Sequence, residues 1–245
     1  MKAVIIAAGC GSRLRERHNG IPKSLLKIQG ERIIDDIIGK VSRAGLNEIV
    51  LVTGYNGRMI EDGLTNYKNS GITISFAYNP EWEKANGISV LAAEKEIREE
   101  EEFILLMSDH IFQQKMLEAV IQAPIEKDEA LLAVDFKINS IPDLDDGMKV
   151  QCEGIDGPLY KILLFGKQLK AYDAIDCGIF KFNHSFFSIL KKSIEGQKES
   201  LSDACNLLSS KGKMKAIDIG ESLWIDIDTP EMFAFDERIQ KILNR

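Results

Sequence analysis

Residues 7–14 read Ala-Ala-Gly-Cys-Gly-Ser-Arg-Leu and follow directly on a short β-branched run at 2–7. Small side chains at Ala7, Ala8, Gly9, Gly11 and Ser12 let backbone N–H groups come close to a ligand, and a nest of such donors suits phosphate oxygens. Two common phosphate loops are excluded. A Walker loop ends in Gly-Lys-Ser/Thr, which is absent here. The dinucleotide fingerprint needs a third glycine where Leu14 stands. Arg13, Arg15, Arg17 and Lys23 place four cations within eleven residues, in a chain whose net charge is −7. Arginine offers phosphate a planar fork and lysine a point charge. A solvated basic loop is the alternative reading. The succession of strand, glycine loop, Arg13 and Pro22-Lys23 favours triphosphate binding.

Three further groups have the chemistry to join that loop. The apolar run 103–107 ends in Ser108-Asp109-His110. A carboxylate at the C-terminal end of a central strand lies where open α/β sheets bind ligands, and a hard oxygen there suits Mg²⁺ held against phosphates. Capping a helix that starts near Phe112 is the competing role for Asp109. In the stretch 224–230, Asp226 and Asp228 alternate and share one face of a strand. Asp228 is placed to cap a helix opened by Pro230, which leaves Asp226 as the second metal ligand. Asn86-Gly87-Ile88-Ser89 offers an amide that can read a base edge, or a cap for a helix. His110 shapes the site and is assigned no proton chemistry; His18 and His184 read as surface or core histidines.

These residues need a scaffold. In the first half, 2–7, 48–53, 72–77 and 103–107 read as buried strands. Between them, 31–44 puts Ile33, Ile34, Ile37, Ile38 and Val41 on one helical face and stops at Gly45. Helices are also expected over 58–67, with Gly63 as its weak point, and over 88–99. Strands separated by helices predict a mostly parallel, doubly wound, Rossmann-like α/β sheet. The second half is less regular. It carries a strand at 131–136, a hairpin of 148–153 and 159–164 around Asp156-Gly157-Pro158, and a strand at 175–182. Helices at 186–193 and 201–210, short strands at 214–219 and 224–227, and a closing amphipathic helix over 231–244 follow. We expect one domain over 1–245, with 1–136 as a nucleotide-binding half, 137–245 as an acceptor-binding and C-terminal half, and 137–175 as an inserted β-rich lobe.

Composition bounds the function. Hydrophobic residues make up 44% of the 245, enough for a sizeable core. The acidic balance argues against nucleic acid as a partner. The four cysteines are dispersed without C-x-x-C spacing, which gives no support to zinc and suits a reducing cytosol. No stretch approaches the ~18 apolar residues of a membrane span, and MKAVIIAAG lacks the long apolar run of a signal peptide. A cytoplasmic protein without membrane insertion is the expectation. Cys10, between the two glycines, reads as a small packing hydrophobe rather than a nucleophile.

AAGCGSRL followed by PKSLL resembles the signature of the nucleotidyltransferases of the sugar-phosphate and MobA-like type. These GT-A-like enzymes join a nucleoside triphosphate to a phosphomonoester and release pyrophosphate. The resemblance covers essentially the whole chain. It implies that Ala7, Ala8, Gly9, Gly11 and Ser12 line the phosphates, and that Arg13 and Lys23 neutralise them, with Lys23 at the α-phosphate. It also implies that Asp109 and Asp226 hold Mg²⁺. NGISVL resembles the segment that contacts the pyrimidine in cytidylyltransferases for inositol phosphate and choline phosphate, which assigns Asn86, Gly87 and Ser89 to the nucleotide. SDHIF and DIDTPE resemble the inositol-1-phosphate cytidylyltransferases. AIDCGIF resembles their acceptor-side strand, bringing Asp176 to the acceptor, unless it caps or orients a neighbour. An anionic acceptor needs a cation of its own; Lys149 is the candidate, with a solvated strand lysine as the alternative. The implied substrates are CTP and inositol 1-phosphate, and the implied products CDP-inositol and pyrophosphate. A membrane-bound downstream synthase is the implied partner. The alternatives are another acceptor (phosphocholine, a sugar 1-phosphate or a molybdenum cofactor) or a non-catalytic nucleotide sensor. A tryptophan cage for choline has only Trp82 and Trp224 to draw on, and intact Arg13, Lys23, Asp109 and Asp226 argue against a sensor.

Overall fold

A computed structural model describes residues 1–11, 20–69, 71–227 and 236–243. Strand β1 (Lys2–Ala7) is the centre from which the sheet grows. Its side chains alternate between two cores: Ala3, Ile5 and Ala7 enter one, and Val4, with Ala8 beyond the strand end, the other. A strand apolar on both faces must be covered on both, which is why helices flank the sheet on each side.

On one side of β1 lie β4 (Glu48–Thr53) and β5 (Thr73–Tyr78), and on the other β6 (Glu102–Met107), all parallel. Beyond β6 the sheet becomes mixed through β11 (Ala174–Asn183), β8 (Ala130–Asp135), β12 (Met214–Asp218), β10 (Leu159–Gly166) and β9 (Lys149–Asp156). The order is β5-β4-β1-β6-β11-β8-β12-β10-β9. The doubly wound mixed sheet is therefore as expected. Its β-rich insertion, β9 and β10, pairs onto the far edge of the same sheet.

One face is covered by α1 (Ile33–Arg43), α4 (Gln114–Gln122) and α7 (Asp236–Leu243). The stripe Ile33, Ile34, Ile37, Ile38 and Val41 is buried as its spacing predicts. Each such side chain contributes about 1.5–3 kcal/mol by leaving water. The other face is covered by α3 (Asn86–Ala92), α5 (Phe186–Glu195) and α6 (Leu201–Ser209).

Several boundaries differ from the expectation for identifiable reasons. Residues 31 and 32 are extended, because β3 (Glu31–Arg32) pairs with β2 (Lys27–Ile28) before α1 starts. Helix α2 (Gly57–Gly63) stops at its glycine, and a separate 3₁₀ turn over Thr65–Asn69 follows. A Cβ at Gly63 would come within 2.9 Å of Arg32 Nη1, which itself donates to the Gly63 carbonyl. The helix expected at 88–99 starts at Asn86 and ends at Ala92, because the chain turns to bring Ile97 into the core ahead of β6. Strand β7 (His110–Phe112) was not foreseen, and the helix weighed from near Phe112 starts two residues later, as α4, with Gln113 rather than Asp109 at its cap position. Strand β7 pairs with β13 (Trp224–Asp226) in a two-stranded ladder of its own, separate from the main sheet. Of the closing helix, 231–235 and 244 lie outside the described residues, as do Asp228 and Pro230.

Candidate active site

Chain order reverses at β1, whose neighbours are β4 and β6. Such a switch point opens a crevice at the C-terminal ends of the strands. Residues 8–11 leave β1 there, and Ser108-Asp109 leave β6 beside them, tied by the Ser108 N–H to the Ile6 carbonyl at 3.3 Å. Gly9 faces open space, since a Cβ there would meet nothing within 4 Å. Gly11 has φ +56°, and its Cβ would lie 3.3 Å from Lys23 Cβ, so a larger residue would displace the lysine. Ser12, Arg13, Arg15 and Arg17 lie outside the described residues.

Two cavities occupy the crevice. The smaller, about 250 Å³, is walled by Ala7, Gly9, Gly11, Lys23, Trp82 and Ser89. The larger, about 410 Å³, is walled by Asp176, Lys167, Phe180, Trp224 and Asp226. Asn86, Met107 and Asp109 line both. A ligand in one cavity and a ligand in the other would therefore meet at Asp109.

Around that point the charged side chains converge. Lys23 Nζ donates to Asp109 Oδ2 at 2.9 Å and lies 3.5 Å from Asp226 Oδ1. His110 Nδ1 is 2.8 Å from Asp109 Oδ1 and 3.9 Å from Asp226 Oδ1. Asp226 is held in place by the β7–β13 ladder, which pairs it with His110, and by the Ile227 N–H donating to the Asp109 carbonyl at 2.9 Å. The His110 ring stacks on Trp224 with centroids 5.5 Å apart and planes at 10°. Gly178 packs against it from β11, where a Cβ would come within 2.7 Å of His110 Cδ2. Among the described residues, Asp109, His110 and Asp226 form a group that could hold a metal ion, with ligand atoms all within 4.8 Å of one another.

The electrostatics follow from this crowding. Burial disfavours the charge on Asp109, but Lys23 and His110 outweigh it and hold the carboxyl well below the usual range. Burial likewise disfavours the imidazolium of His110, yet Asp226 and Asp109 raise it to about 9. Burial pushes Asp176 up to about 6, partly offset by the Gly178 N–H and by His110. That N–H donates to Asp176 Oδ1 at 2.7 Å, across the register shift in β11 that turns Gly178 toward His110.

Of the residues singled out from sequence, Ala7, Gly9, Gly11, Lys23, Asn86, Ser89, Asp109, Asp176 and Asp226 line one cavity or the other. Ala8 is buried beneath the loop, its carbonyl accepting from the Tyr55 N–H at 3.0 Å. Gly87 is a packing position, since a Cβ would lie 2.3 Å from the Glu199 carbonyl oxygen. Asn86 Oδ1 accepts from the Leu201 N–H at 2.9 Å, and Ser89 Oγ from Asn79 at 2.9 Å. Lys149 departs from its expected place. It is buried, donates to the carbonyls of Lys167 at 2.9 Å and Asp145 at 3.3 Å, and is not among the residues walling the larger cavity. Lys167 is, with its ammonium 2.7 Å from Asp146. His110, expected from sequence to shape the site without proton chemistry, lies against Asp109 and Trp224. Lys167 was not singled out, and nothing in its sequence neighbourhood marked it.

A Rossmann-like sheet whose switch point joins a glycine-walled cavity to a larger one through a carboxylate cluster suits two ligands held side by side at one charged point. Residues 2–143 match the family model described as nucleotidyl transferase, and the chain belongs to that family. It is 30% identical over 239 residues to the bifunctional IPC transferase and DIPP synthase of Rubrobacter xylanophilus, covering 97% of this chain and 51% of that protein. The chain thus spans about half the length of that relative. It is also 30% identical over 202 residues to the CTP:phosphoglutamine cytidylyltransferase of Campylobacter jejuni, covering 77% of this chain and 75% of that one. Its fold is that of the inositol-1-phosphate CTP transferase from T. maritima, with a TM-score of 0.81 at 23% identity over 98% of this chain and 96% of the other. No described helix is long and apolar enough to cross a membrane.

Proposed function

We propose that the chain transfers CMP from CTP to inositol 1-phosphate, releasing pyrophosphate and forming CDP-inositol. The observation that carries this reading is the place of Asp109, which lines both cavities beside Lys23 and Asp226. Transfer needs donor and acceptor phosphates to meet at one point, and holding them there supplies much of the rate. Cytidine is supported by the NGISVL motif and by the CTP in the names of the Campylobacter relative and the T. maritima structure. Inositol 1-phosphate is supported by the SDHIF and DIDTPE motifs and by the latter name.

In this reading the CTP phosphates lie over Gly9, Gly11, Ser12 and Arg13, with Lys23 at the α-phosphate. An oxygen of the acceptor phosphate attacks the α-phosphorus. The bond from that phosphorus to the bridging oxygen breaks, and pyrophosphate leaves with the electron pair. The acceptor is already an anion near neutral pH, so no general base is needed. The Asn86 amide oxygen is taken by Leu201, which leaves the amide NH₂ to donate to the base. Asp176 and Lys167 face the acceptor, and Lys149 braces the segment that carries Lys167.

Asp109 and Asp226 fit Mg²⁺. Two hard carboxylate donors converge there, and this ion takes few protein ligands beside phosphates and water. When bound it neutralises charge on the transferring phosphoryl group. His110 orients Asp109 through the oxygen that Lys23 does not use.

The test is a panel of nucleoside triphosphates and phosphomonoesters with Mg²⁺, read by pyrophosphate release. CTP with inositol 1-phosphate is expected to be fastest. A faster rate with phosphoglutamine, which the Campylobacter relative makes the next candidate, or with a sugar 1-phosphate would change the acceptor and keep the class. No pyrophosphate with any pair would favour a nucleotide sensor.

A further inference from the structure

Asp135 closes β8 and lines neither cavity, yet its bonds lead into the site. It is 0% exposed. A carboxylate withdrawn from water costs several kcal/mol unless its oxygens are satisfied. Here Oδ1 accepts the Lys137 N–H at 2.8 Å and pairs with the Lys137 ammonium at 2.8 Å. Oδ2 accepts the indole Nε1–H of Trp224 at 3.0 Å. The Trp224 carbonyl is held as well, by Arg238 Nε at 2.9 Å, while Arg238 Nη1 donates to the Ser140 carbonyl at 2.7 Å. The indole is thus fixed at its ring nitrogen and at its backbone.

The far face of this arrangement is the carboxylate cluster. The indole stacks on the His110 ring, and His110 bonds Asp109. Asp226 stands two residues after Trp224 on the same side of β13 and opposite His110. A buried indole N–H could be satisfied by any nearby carbonyl. Asp135 makes the bond charge-assisted, and its other oxygen is fixed by Lys137, so the acceptor that holds the indole is itself held.

We propose that Asp135 is a positioning residue for nucleotidyl transfer, acting through the Trp224 indole to hold His110, and with it Asp109, in place. This rests on the reading that Asp109 and Asp226 form the reacting centre. Asp135 itself touches neither substrate.

The test compares Asp135→Asn, Trp224→Phe and the double variant in the full chain. Four quantities are read: kcat, both KM values, affinity for Mn²⁺ as the metal probe, and the NMR resonances of the His110 ring. Outer-shell partners of this kind are worth roughly 10–100-fold in metal affinity or activity. Asp135→Asn is expected to lose that much in kcat or Mn²⁺ affinity, with both KM values within about twofold of wild type. The His110 resonances should move as the indole leaves its stacking position. Trp224→Phe keeps an aromatic ring but loses the N–H donor together with the fused five-membered ring, and it carries the test if Asp135→Asn does not fold. Adding Asp135→Asn to Trp224→Phe should cost little more, because both act through one bond. Wild-type kcat, Mn²⁺ affinity and His110 resonances in either single variant would overturn the proposal, as would losses that simply add. If wild type itself releases no pyrophosphate with any substrate pair, the functional reading fails, while Mn²⁺ affinity and the His110 resonances still decide the link from Asp135.

Discussion

Asp226 stands directly opposite His110 across the β7–β13 ladder. That pairing brings a residue from near the C-terminus against one that follows the central strand β6. Backbone pairing, rather than side-chain reach, therefore sets the spacing of the carboxylate cluster. Both strands are only three residues long, so the site depends on a small element braced by Trp224, Gly178 and the Asp109–Ile227 bond.

Gly178 is the tightest of these braces. Its φ of +74° and the 2.7 Å approach to His110 both forbid a side chain. Gly178→Ala is expected to cost roughly 1–3 kcal/mol from backbone strain alone. It should also push His110 off Asp109. Thermal melting should show the lost stability, and kcat should fall further than the folded fraction explains. Unchanged kcat in the folded variant would contradict the role given to His110.

Lys149 and Lys167 should separate in their effects. Lys149→Ala deletes two part-buried hydrogen bonds from a buried ammonium, those to the carbonyls of Asp145 and Lys167, and should lower the melting temperature. Lys167 is 47% exposed at its side chain, so its removal should leave stability nearly intact. If it binds the acceptor phosphate, Lys167→Ala forfeits a charged hydrogen bond of about 1.5–3 kcal/mol, or roughly 10–100-fold in acceptor KM. An acceptor KM that responds to Lys149→Ala and ignores Lys167→Ala would return the role to Lys149.

His110 makes a pH prediction for the metal-free protein. With EDTA present, NMR should show the ring titrating near 9, against 6.5 for an unperturbed histidine. Because the folded value is raised, the linked stability is complete below about 6.5 and is lost as pH rises toward 9. Asp226→Asn removes the largest contribution favouring the imidazolium and should bring the midpoint down. Saturating Mg²⁺ should act in the same direction by engaging both carboxylates. A midpoint near 6.5 in the metal-free wild type would contradict the geometry described.

Legibility from sequence followed the range of the interactions concerned. β1 and β4 were readable to the residue, because a buried strand advertises itself in its own apolar run. That Gly9, Gly11, Lys23, Asp109 and Asp226 would line one crevice was readable because motif and strand-end position coincide. β7 was not, since three residues carry no period and its partner lies more than a hundred residues away. For His110 only a site-shaping role could be read, because its contacts with Asp226, Trp224 and Gly178 join elements distant in the chain. Lys149 was misplaced because a lysine before a hairpin looks the same in sequence whether it meets a ligand or, as here, its own backbone carbonyls.

The central claim is that transfer occurs where the two cavities meet, at Asp109. Its most direct test is pyrophosphate release from CTP and inositol 1-phosphate with Mg²⁺, comparing wild type with Asp109→Ala. Losing one preorganised charged group of this kind costs about 10²–10³ in kcat, and more if the metal goes with it. Wild type should release pyrophosphate rapidly, and the variant, still folded, should lose at least that much. Near-wild-type release by Asp109→Ala would contradict it.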